Sequence, residues 1–409
     1  MLADEGRGVS RVAFRALTSR SFWLALGVVN VIAGVVIGLR PGQSQDLTTV
    51  TGWCRDWLIN GVNPYPGPRF TTNYPPYALV LLSPLLLLPQ GILKGCWSLA
   101  SVALAVAAAR LGLKAAPAGW QRLDGVRLSV GCFLAWESVR VSLEVGQFTL
   151  LVFVCGMAAV VYKGKVGRGI LLGITMIKPQ IGAAFLLWAL LEGAVAAVLI
   201  AALPAAIGTI VFAARLHESL LGAVRVYGDV VRHELVAPAF RQGVLELRPL
   251  IRWVITPPAI ADAIHLAIVV ASLIAVVVAH RRMSPANRSL FLLPLTCLWA
   301  LMSVYHPNYD QVLLWPAAVA LWVWQADAQP KRFGLVAALQ LMLVVDIHGL
   351  WWKWSGRPTV WPEQGALAFL QHIDRVLVVM LFVALVTISM RWRSTEAPVT
   401  LRQIAVPVA

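Results

Sequence analysis

Residues 22–39 read FWLALGVVNVIAGVVIGL, an apolar run interrupted by one amide side chain, Asn30. A helix needs about 20 apolar residues to cross the hydrocarbon core of a bilayer, so this run predicts a membrane-spanning helix. Basic residues precede the run: Arg7, Arg11, Arg15 and Arg20. They predict a cytoplasmic N-terminus. No small-residue cleavage site follows, and we therefore expect a retained signal anchor rather than a cleaved signal peptide.

The composition of all 409 residues extends this prediction to the whole chain. Apolar residues make up 59% of the sequence and charged residues 13%, about half of the roughly 25% found in soluble domains. The mean hydropathy is +0.75. A soluble fold cannot cover so much apolar surface with so few charges. The composition therefore indicates an integral membrane protein and excludes a disordered chain, a disulfide scaffold and a coiled coil.

The charge and the cysteines exclude two further classes. Lys and Arg number 34 against 19 Asp and Glu, a net charge of +15. In a membrane protein, cytoplasmic anchoring charge and anionic lipids explain this excess better than nucleic acid does. The five cysteines form no C-x-x-C pair, which argues against a disulfide framework or a zinc site.

Further apolar runs predict further spans. The stretch 168–191 is long enough to cross once, but Lys178 and Pro179 lie in its middle. Proline breaks a helix and a lysine in hydrocarbon is costly, so we expect two half-helices around a polar break. The other predicted spans are 91–110, 126–142, 147–162, 194–214, 258–279, 289–305, 311–326, 334–350 and 368–390.

The basic loops set the predicted topology. Counting the split stretch twice gives about 12 transmembrane helices in a single membrane domain, 1–409, with both termini inside. Residues 40–90 then form a first outer loop, whose amphipathic stretches 48–60 and 75–89 predict short juxtamembrane helices. Residues 215–256 form a second long outer loop, although their arginines alone would favour the inside.

Polar and aromatic residues collect at the predicted outer ends of the helices. Asp46, Glu144, Gln147, Asp310 and the aromatic residues near them all fall on this side. A belt of Trp and Tyr at the interface would explain the aromatic residues but not the carboxylates and His306 at the same depth. The helix interiors hold almost no ionisable group except Lys178. This distribution favours chemistry at the outer surface over transport through the membrane.

Several segments, read in order, resemble glycosyltransferase family 87, a polytopic family of the GT-C type that uses polyprenyl-phosphate sugars. The segments spread over about 300 residues. They are Gln45-Asp46-Leu47, Gly61-Val62-Asn63-Pro64-Tyr65, Tyr74-Pro75-Pro76, Ser83-Pro84-Leu85, Gly146-Gln147-Phe148, Ile177-Lys178-Pro179, Arg241-Gln242-Gly243 before Arg248, and Ser303-Val304-Tyr305-His306-Pro307-Asn308-Tyr309-Asp310.

The resemblance implies an all-α GT-C-type fold in the plasma membrane, with its active site on the periplasmic or extracellular side. It implies an inverting transfer of a sugar from a polyprenyl-phosphate donor to a glycolipid hydroxyl. Mannose is the first choice of sugar and arabinofuranose the alternative. The family places its catalytic aspartate at Asp46, which by position alone is a solvated loop residue.

The remaining site candidates follow from the chemistry of phosphate and sugar binding. The donor phosphate needs cationic or hydrogen-bonding partners, for which the candidates are Lys178, His306, Arg241 and Arg248. Sugar or acceptor contacts are expected from Tyr74, Tyr77, Glu144, Gln147, Asn308 and Tyr309. Belt, cap and loop roles stay open for each of them.

No Asp-x-Asp pair or other cluster of oxygen ligands is evident, and we expect neither a metal nor a cofactor. Two alternatives from other classes remain. A transporter or flippase for lipid-linked sugars requires a charged path through the membrane. A non-catalytic subunit of an envelope-assembly complex requires no functional Asp46.

Overall fold

The computed structural model describes residues 19–65, 74–116, 123–236, 245–328 and 372–391, and the regular structure of these residues is helical. The α-helices of the first half are α1 (Arg20–Gly38), α2 (Gln45–Arg55), α3 (Pro76–Leu82), α4 (Gln90–Gly112), α5 (Leu123–Leu134), α6 (Glu137–Val145), α7 (Thr149–Val161) and α8 (Lys165–Thr175). Those of the second half are α9 (Pro179–Leu191), α10 (Val195–Arg215), α11 (Leu220–Val236), α12 (Arg248–Val254), α13 (Pro258–Arg282), α14 (Pro285–Ser303), α15 (Trp315–Ala328) and α16 (Ile373–Arg391).

Five helices of the described residues are long and apolar enough to cross a membrane: α1, α4, α10, α13 and α16. Shorter apolar helices, among them α7 and α9, pack between them. The described residues are therefore those of a multi-pass helical membrane protein. The total of twelve crossings stays a prediction, and the predicted span 334–350 lies outside the described residues.

The predicted break in 168–191 is confirmed. Helix α8 ends at Thr175 and α9 begins at Pro179, with Lys178 between them at φ −120° and ψ 88°. The ring of a proline disfavours helical geometry in the residue before it, and Pro179 needs no amide hydrogen at the first position of α9. Lysine and proline together therefore place a buried cation at a helix end.

The prediction of one continuous helix over 126–142 is wrong. Helix α5 ends at Leu134, Trp136 has extended geometry, and α6 begins at Glu137. The side-chain amide of Asn30 in α1 donates to the carbonyl oxygens of Leu134 (2.8 Å) and Trp136 (2.9 Å). The Leu134 carbonyl at the end of α5 has no backbone donor among the described residues, and the Asn30 amide satisfies it. The Trp136 carbonyl accepts from Asn30 in addition to the first amides of α6, those of Val139 (3.1 Å) and Arg140 (3.3 Å).

The first predicted outer loop does contain two short helical stretches. Helix α2 continues as a π-helical turn over Asp56–Asn60, and α3 continues as a 3-10 turn over Ser83–Leu87. Their position at the membrane surface stays a prediction. The second predicted loop is more helical than expected, since α11 and α12 lie within 215–256.

Candidate active site

The start of α2 is fixed by the turns around it. Ser44 adopts a left-handed conformation (φ 57°), its amide donates to the carbonyl of Glu144 (3.1 Å), and its hydroxyl donates to the carbonyl of Gly38 (2.7 Å). These bonds join the ends of α1 and α6 to the beginning of α2. Asp46, in the first turn of α2, is held at that junction.

The turn between α6 and α7 packs directly against α2. Gly146 has φ +71°, and a Cβ atom there would lie 2.8 Å from the Cβ of Leu47. Glycine is needed both for the backbone conformation and for the close approach. The next residue, Gln147, is thereby brought beside Asp46.

A cleft with about 490 Å³ of empty space opens between these elements. One wall is a single face of α2, because its residues follow the helical spacing i, i+3, i+4 and i+7. The other wall residues come mainly from the α8–α9 break and the segment after α14. The lining residues are Asp46, Thr49, Val50, Trp53, Tyr74, Gln147, Ile177, Lys178, Gln180, Tyr305, Pro307 and Tyr309.

A chain of hydrogen bonds joins the two walls through Gln147. Its side-chain amide donates to Asp46 Oδ2. Its carbonyl oxygen accepts from Lys178 Nζ (3.0 Å) and from the hydroxyl of Tyr74 (3.2 Å). Gln147 therefore connects the carboxylate on α2 with the ammonium at the α8–α9 break.

The chain of hydrogen bonds continues from Lys178 into a group of buried side chains. Lys178 Nζ also donates to Thr149 Oγ1 (2.7 Å) and to Asp310 Oδ1 (3.2 Å), and the Thr149 hydroxyl donates to the same Asp310 oxygen (2.9 Å). His306 Nδ1 lies 3.0 Å from Asp310 Oδ2. His306 and Asp310 are 0% exposed. The ammonium of Lys178 thus reaches three oxygen acceptors, one of which is a carboxylate.

The two carboxylates differ in their electrostatic setting. Burial raises the pKa of Asp46, and the positive charge of Lys178 and the hydrogen bond from Gln147 only partly offset it. Burial would also raise the pKa of Asp310, but Lys178 and the hydrogen bond with His306 hold it below its ordinary value. These directions favour the ionised form of Asp310 beside Lys178 and make Asp46 the stronger base of the two.

Aromatic rings complete both walls of the cleft. Lys178 Nζ lies 4.4 Å from the ring centre of Tyr309, within the range of a cation–π interaction. The rings of Trp53 and Tyr74 have centroids 6.2 Å apart. A cleft that combines aromatic faces with a few carboxylate, amide and ammonium groups has the character of a small-molecule binding site.

The predicted residues Asp46, Tyr74, Gln147, Lys178 and Tyr309 are brought together in the cleft. His306 is fully buried and does not line the cleft, although its chain neighbours Tyr305 and Pro307 do; its ring lies against Asp310.

Other predicted site residues lie elsewhere. The Tyr77 hydroxyl donates to the carbonyl of Met176 (2.6 Å), at the end of α8. Glu144 pairs with Arg140 on its own helix. Arg248 Nε lies 3.0 Å from Glu246 Oε1.

None of Tyr77, Glu144 and Arg248 lines the cleft, and neither does Asn308. Each of the first three is used in packing or in an ion pair. Arg241 lies outside the described residues.

The sequence prediction missed Trp53, Thr149, Gln180 and Tyr305 as site residues, and Asp310 as the partner of Lys178. Trp53 could have been found, because it lies seven residues after Asp46 and helical spacing puts both on one face. Asp310 ends the motif that contains His306. Nothing in the sequence marks Thr149 as a site residue, because it is the first residue of the apolar helix α7.

Among the described residues, no group of three or more His, Cys, Asp or Glu side chains is arranged to hold a metal ion. Independence from metals stays a prediction.

The family comparison agrees with this geometry. The model of glycosyltransferase family 87 matches residues 70–307, more than half of the chain. The match includes Tyr74, Gln147, Lys178 and His306, and Asp46 lies before its start. No curated protein and no solved structure matches the chain. The protein therefore belongs to glycosyltransferase family 87 and is a membrane glycosyltransferase.

Proposed function

We propose that the protein transfers a mannosyl group from polyprenyl-phosphate mannose to a hydroxyl group of a glycolipid, with inversion at the anomeric carbon. The observation that carries this proposal is the cleft that both Asp46, a base, and Lys178, a buried cation, line and in which the Gln147 side chain connects them. Transfer from a sugar phosphate needs both groups, because a proton must leave the acceptor while a phosphate leaves the donor.

Asp46 is the general base of the proposed reaction. Its carboxylate takes the proton of the acceptor hydroxyl as that oxygen forms a bond to the anomeric carbon. Burial, which raises the pKa of Asp46, makes the carboxylate a better proton acceptor. The hydrogen bond that Gln147 donates to Asp46 fixes the orientation of the carboxylate.

Lys178 stabilises the leaving group. The bond between the anomeric carbon and the phosphate oxygen breaks as the new bond forms, and its electron pair stays on polyprenyl phosphate. The ammonium at the α8–α9 break supplies positive charge next to that oxygen. Arg248 pairs with Glu246 and does not line the cleft, so among the described candidates the phosphate role is proposed for Lys178.

The substrate classes follow from the resemblance and from the cleft. A donor with a polyprenyl chain stays in the bilayer, and a glycolipid acceptor reaches the same cleft from the membrane. A β-linked donor gives an α-linked product. The proposed location is the outer face of the plasma membrane, and arabinofuranose is the alternative sugar.

The test is sugar transfer by purified protein in nanodiscs, with radiolabelled polyprenyl-phosphate mannose and an envelope-lipid extract as acceptor. The change is Asp46→Asn, which keeps the side-chain size and removes the base. We expect kcat/KM to fall by at least about 10³-fold, within the 10²–10⁴ range of general bases. The matched control is Asp56→Asn. Asp56 follows the same helix, accepts a hydrogen bond from Asn60 (3.0 Å) and does not line the cleft.

The outcomes of this assay distinguish the possible functions and site assignments. Full activity of Asp46→Asn would move the base to another residue. Transfer from an arabinofuranosyl donor alone would change the sugar and keep the mechanism. Movement of labelled lipid between leaflets without any sugar transfer would favour a flippase. Loss of activity in Asp56→Asn as well would remove the argument from the cleft.

A further inference from the structure

Residues 245–247 lie directly behind one part of the cleft wall. The amide of Leu245 donates to the carbonyl of His306 (2.8 Å). Tyr305 and Pro307, on either side of His306, line the cleft. The hydrogen bond therefore joins the segment 245–247 to the backbone that carries these two residues, and the position of the segment constrains that part of the wall.

Helices α13 and α14 hold the same segment from one side. The carbonyl of Met302, near the end of α14, accepts from the amide of Leu247 (3.4 Å). The same oxygen lies 3.1 Å from Nε2 of His265 in α13. Leu247 and His265 are 3% and 5% exposed. A segment so buried must find partners for its backbone groups in the neighbouring helices.

Helix α16 supplies such a partner from a buried arginine. Nε of Arg375, in the first turn of α16, donates to the backbone carbonyl of Glu246 (3.1 Å). Arg375 is 3% exposed, and its Nη1 lies 2.6 Å from Nδ1 of His372. An arginine is almost never fully buried unless its donors are paired. Arg375 thus joins the segment to α16, which lies beyond residues 70–307, the part that the family model matches.

The side chain of Glu246 has a different principal partner. Its Oε1 lies 3.0 Å from Nε of Arg248. Burial raises the pKa of Glu246, and the positive charge of Arg248 opposes this rise more strongly than that of Arg375 does. The carboxylate and the backbone carbonyl of Glu246 are therefore held mainly by different arginines, and substitutions can separate the two.

We propose that Arg375 is a positioning residue of the transfer site. Through the peptide group that it binds, Arg375 holds residues 245–247 against the backbone of His306. The ring of His306 lies 3.0 Å from Asp310, the counter-ion of Lys178. The arginine thereby fixes a segment that carries both part of the cleft wall and this counter-ion, although it touches no reacting atom. Its role in transfer rests on the proposed function.

The first test is amide hydrogen exchange of the full-length protein in nanodiscs, read by mass spectrometry, for the wild type and Arg375→Met. We expect peptides covering 245–247 and 302–307 to exchange about 10-fold faster, equal to about 1.4 kcal/mol in the free energy of local opening. A hydrogen bond from a charged group to a buried carbonyl contributes about that much or more. Peptides from α1 should exchange as in the wild type, because the change is local.

The second test is sugar transfer by the same proteins. A displacement of about 1 Å can cost about 10²-fold in rate, so kcat/KM of Arg375→Met should fall by about that factor. Arg375→Lys keeps a buried cation that can donate to the same carbonyl, and it should restore most of the activity and of the protection from exchange. Arg375→Gln, which lacks Nε, replaces Arg375→Met if that variant does not fold, and should show the same local exchange.

Two further variants separate the backbone bond from charge. Glu246→Gln keeps the carbonyl and removes the carboxylate charge, so it should stay nearer to the wild type than Arg375→Met in both tests. The matched control is Arg252→Met. Nη2 of Arg252 lies 2.8 Å from an oxygen of Asp262, whose side chain is exposed, and its loss should change neither exchange at 245–247 nor transfer.

Four results would overturn the proposal. They are unchanged exchange at 245–247 in Arg375→Met, faster exchange over the whole protein, faster local exchange with undiminished transfer, and equal losses in Arg375→Met and Glu246→Gln. The second would make Arg375 a residue of general stability, and the last would assign the effect to the carboxylate. Failure of the wild type to transfer sugar would count against the proposed function instead, and exchange would still decide whether Arg375 holds the segment.

Discussion

The buried pair of Lys178 and Asp310 makes the most quantitative prediction. Their side chains are 4% and 0% exposed, and Nζ lies 3.2 Å from Oδ1. At that distance the attraction is about 5 kcal/mol for an effective dielectric constant of about 20. Much of it offsets the cost of removing two charges from water, so the pair as a whole adds little to stability. Each partner nevertheless depends on the other.

The perturbation is a double-mutant cycle with Lys178→Met and Asp310→Asn. Each single change leaves one charge buried without its counter-charge and should cost about 3–5 kcal/mol. The double variant removes both charges, so its loss of stability should be smaller than the sum of the two single losses. We expect a coupling free energy of about 2–3 kcal/mol. Lys178→Met and the double variant should both lack transferase activity, because both lack the cation.

The assay is reversible unfolding in mixed micelles with increasing SDS, followed by tryptophan fluorescence. The matched control is the ion pair of Asp229 and Arg232 in α11, whose atoms are 3.6 Å apart on side chains 63% and 84% exposed. Asp229→Asn and Arg232→Met should show no measurable coupling, as is usual for exposed pairs. Single costs at Lys178 and Asp310 that simply add, within about 0.5 kcal/mol, would refute the reasoning.

Three further predictions concern the α2 side of the cleft. Gln147→Leu removes a hydrogen bond that lowers the pKa of Asp46, so the pKa of Asp46 should rise. The acidic limb of the pH profile of kcat/KM, where Asp46 becomes protonated and inactive, should then move to higher pH. A limb that does not move would mean that it reports a group other than Asp46. Gly146→Ala should lower the free energy of unfolding in SDS by at least about 1–2 kcal/mol, because φ is +71° and the new Cβ would crowd Leu47. The control Gly52→Ala, whose new Cβ would meet open space, should not lower it. Transfer measured in EDTA should equal transfer in Mg²⁺ or Mn²⁺, and stimulation by either ion would contradict the assignment of charge stabilisation to Lys178.

A residue of the cleft could be predicted from the sequence where a short local pattern marked it. Lys178 stood out because a lysine next to proline interrupts an apolar stretch, and the structure has its helix break there. Asp46, Gln147 and Tyr74 were reached through short motifs around turns. Tyr77 lies only three residues after Tyr74, but it faces the end of α8 rather than the cleft.

The remainder depended on contacts between distant parts of the chain. The break between α5 and α6 is satisfied by Asn30, which lies 104 and 106 positions before its two acceptors. The hydrophobic pattern of residues 126–142 does not indicate such a break. Asp310 likewise acquires its role from Lys178, 132 positions away, and from Thr149, 161 positions away. A single sequence gives the polarity of such residues but not their partners.

The proposed active-site residues lie where the apolar helices of this protein are interrupted. Asp46 follows the turn after α1, Gln147 lies in the α6–α7 turn, Lys178 in the α8–α9 break, and His306 and Asp310 in the segment between α14 and α15. Hydrocarbon does not tolerate the unpaired backbone groups of a helix end, so such interruptions persist only where protein surrounds them or a cavity receives them. The same physical rule that requires apolar residues in the spans therefore places Asp46, Lys178 and Asp310, the proposed base, the proposed cation and its counter-ion, at or beside one cleft.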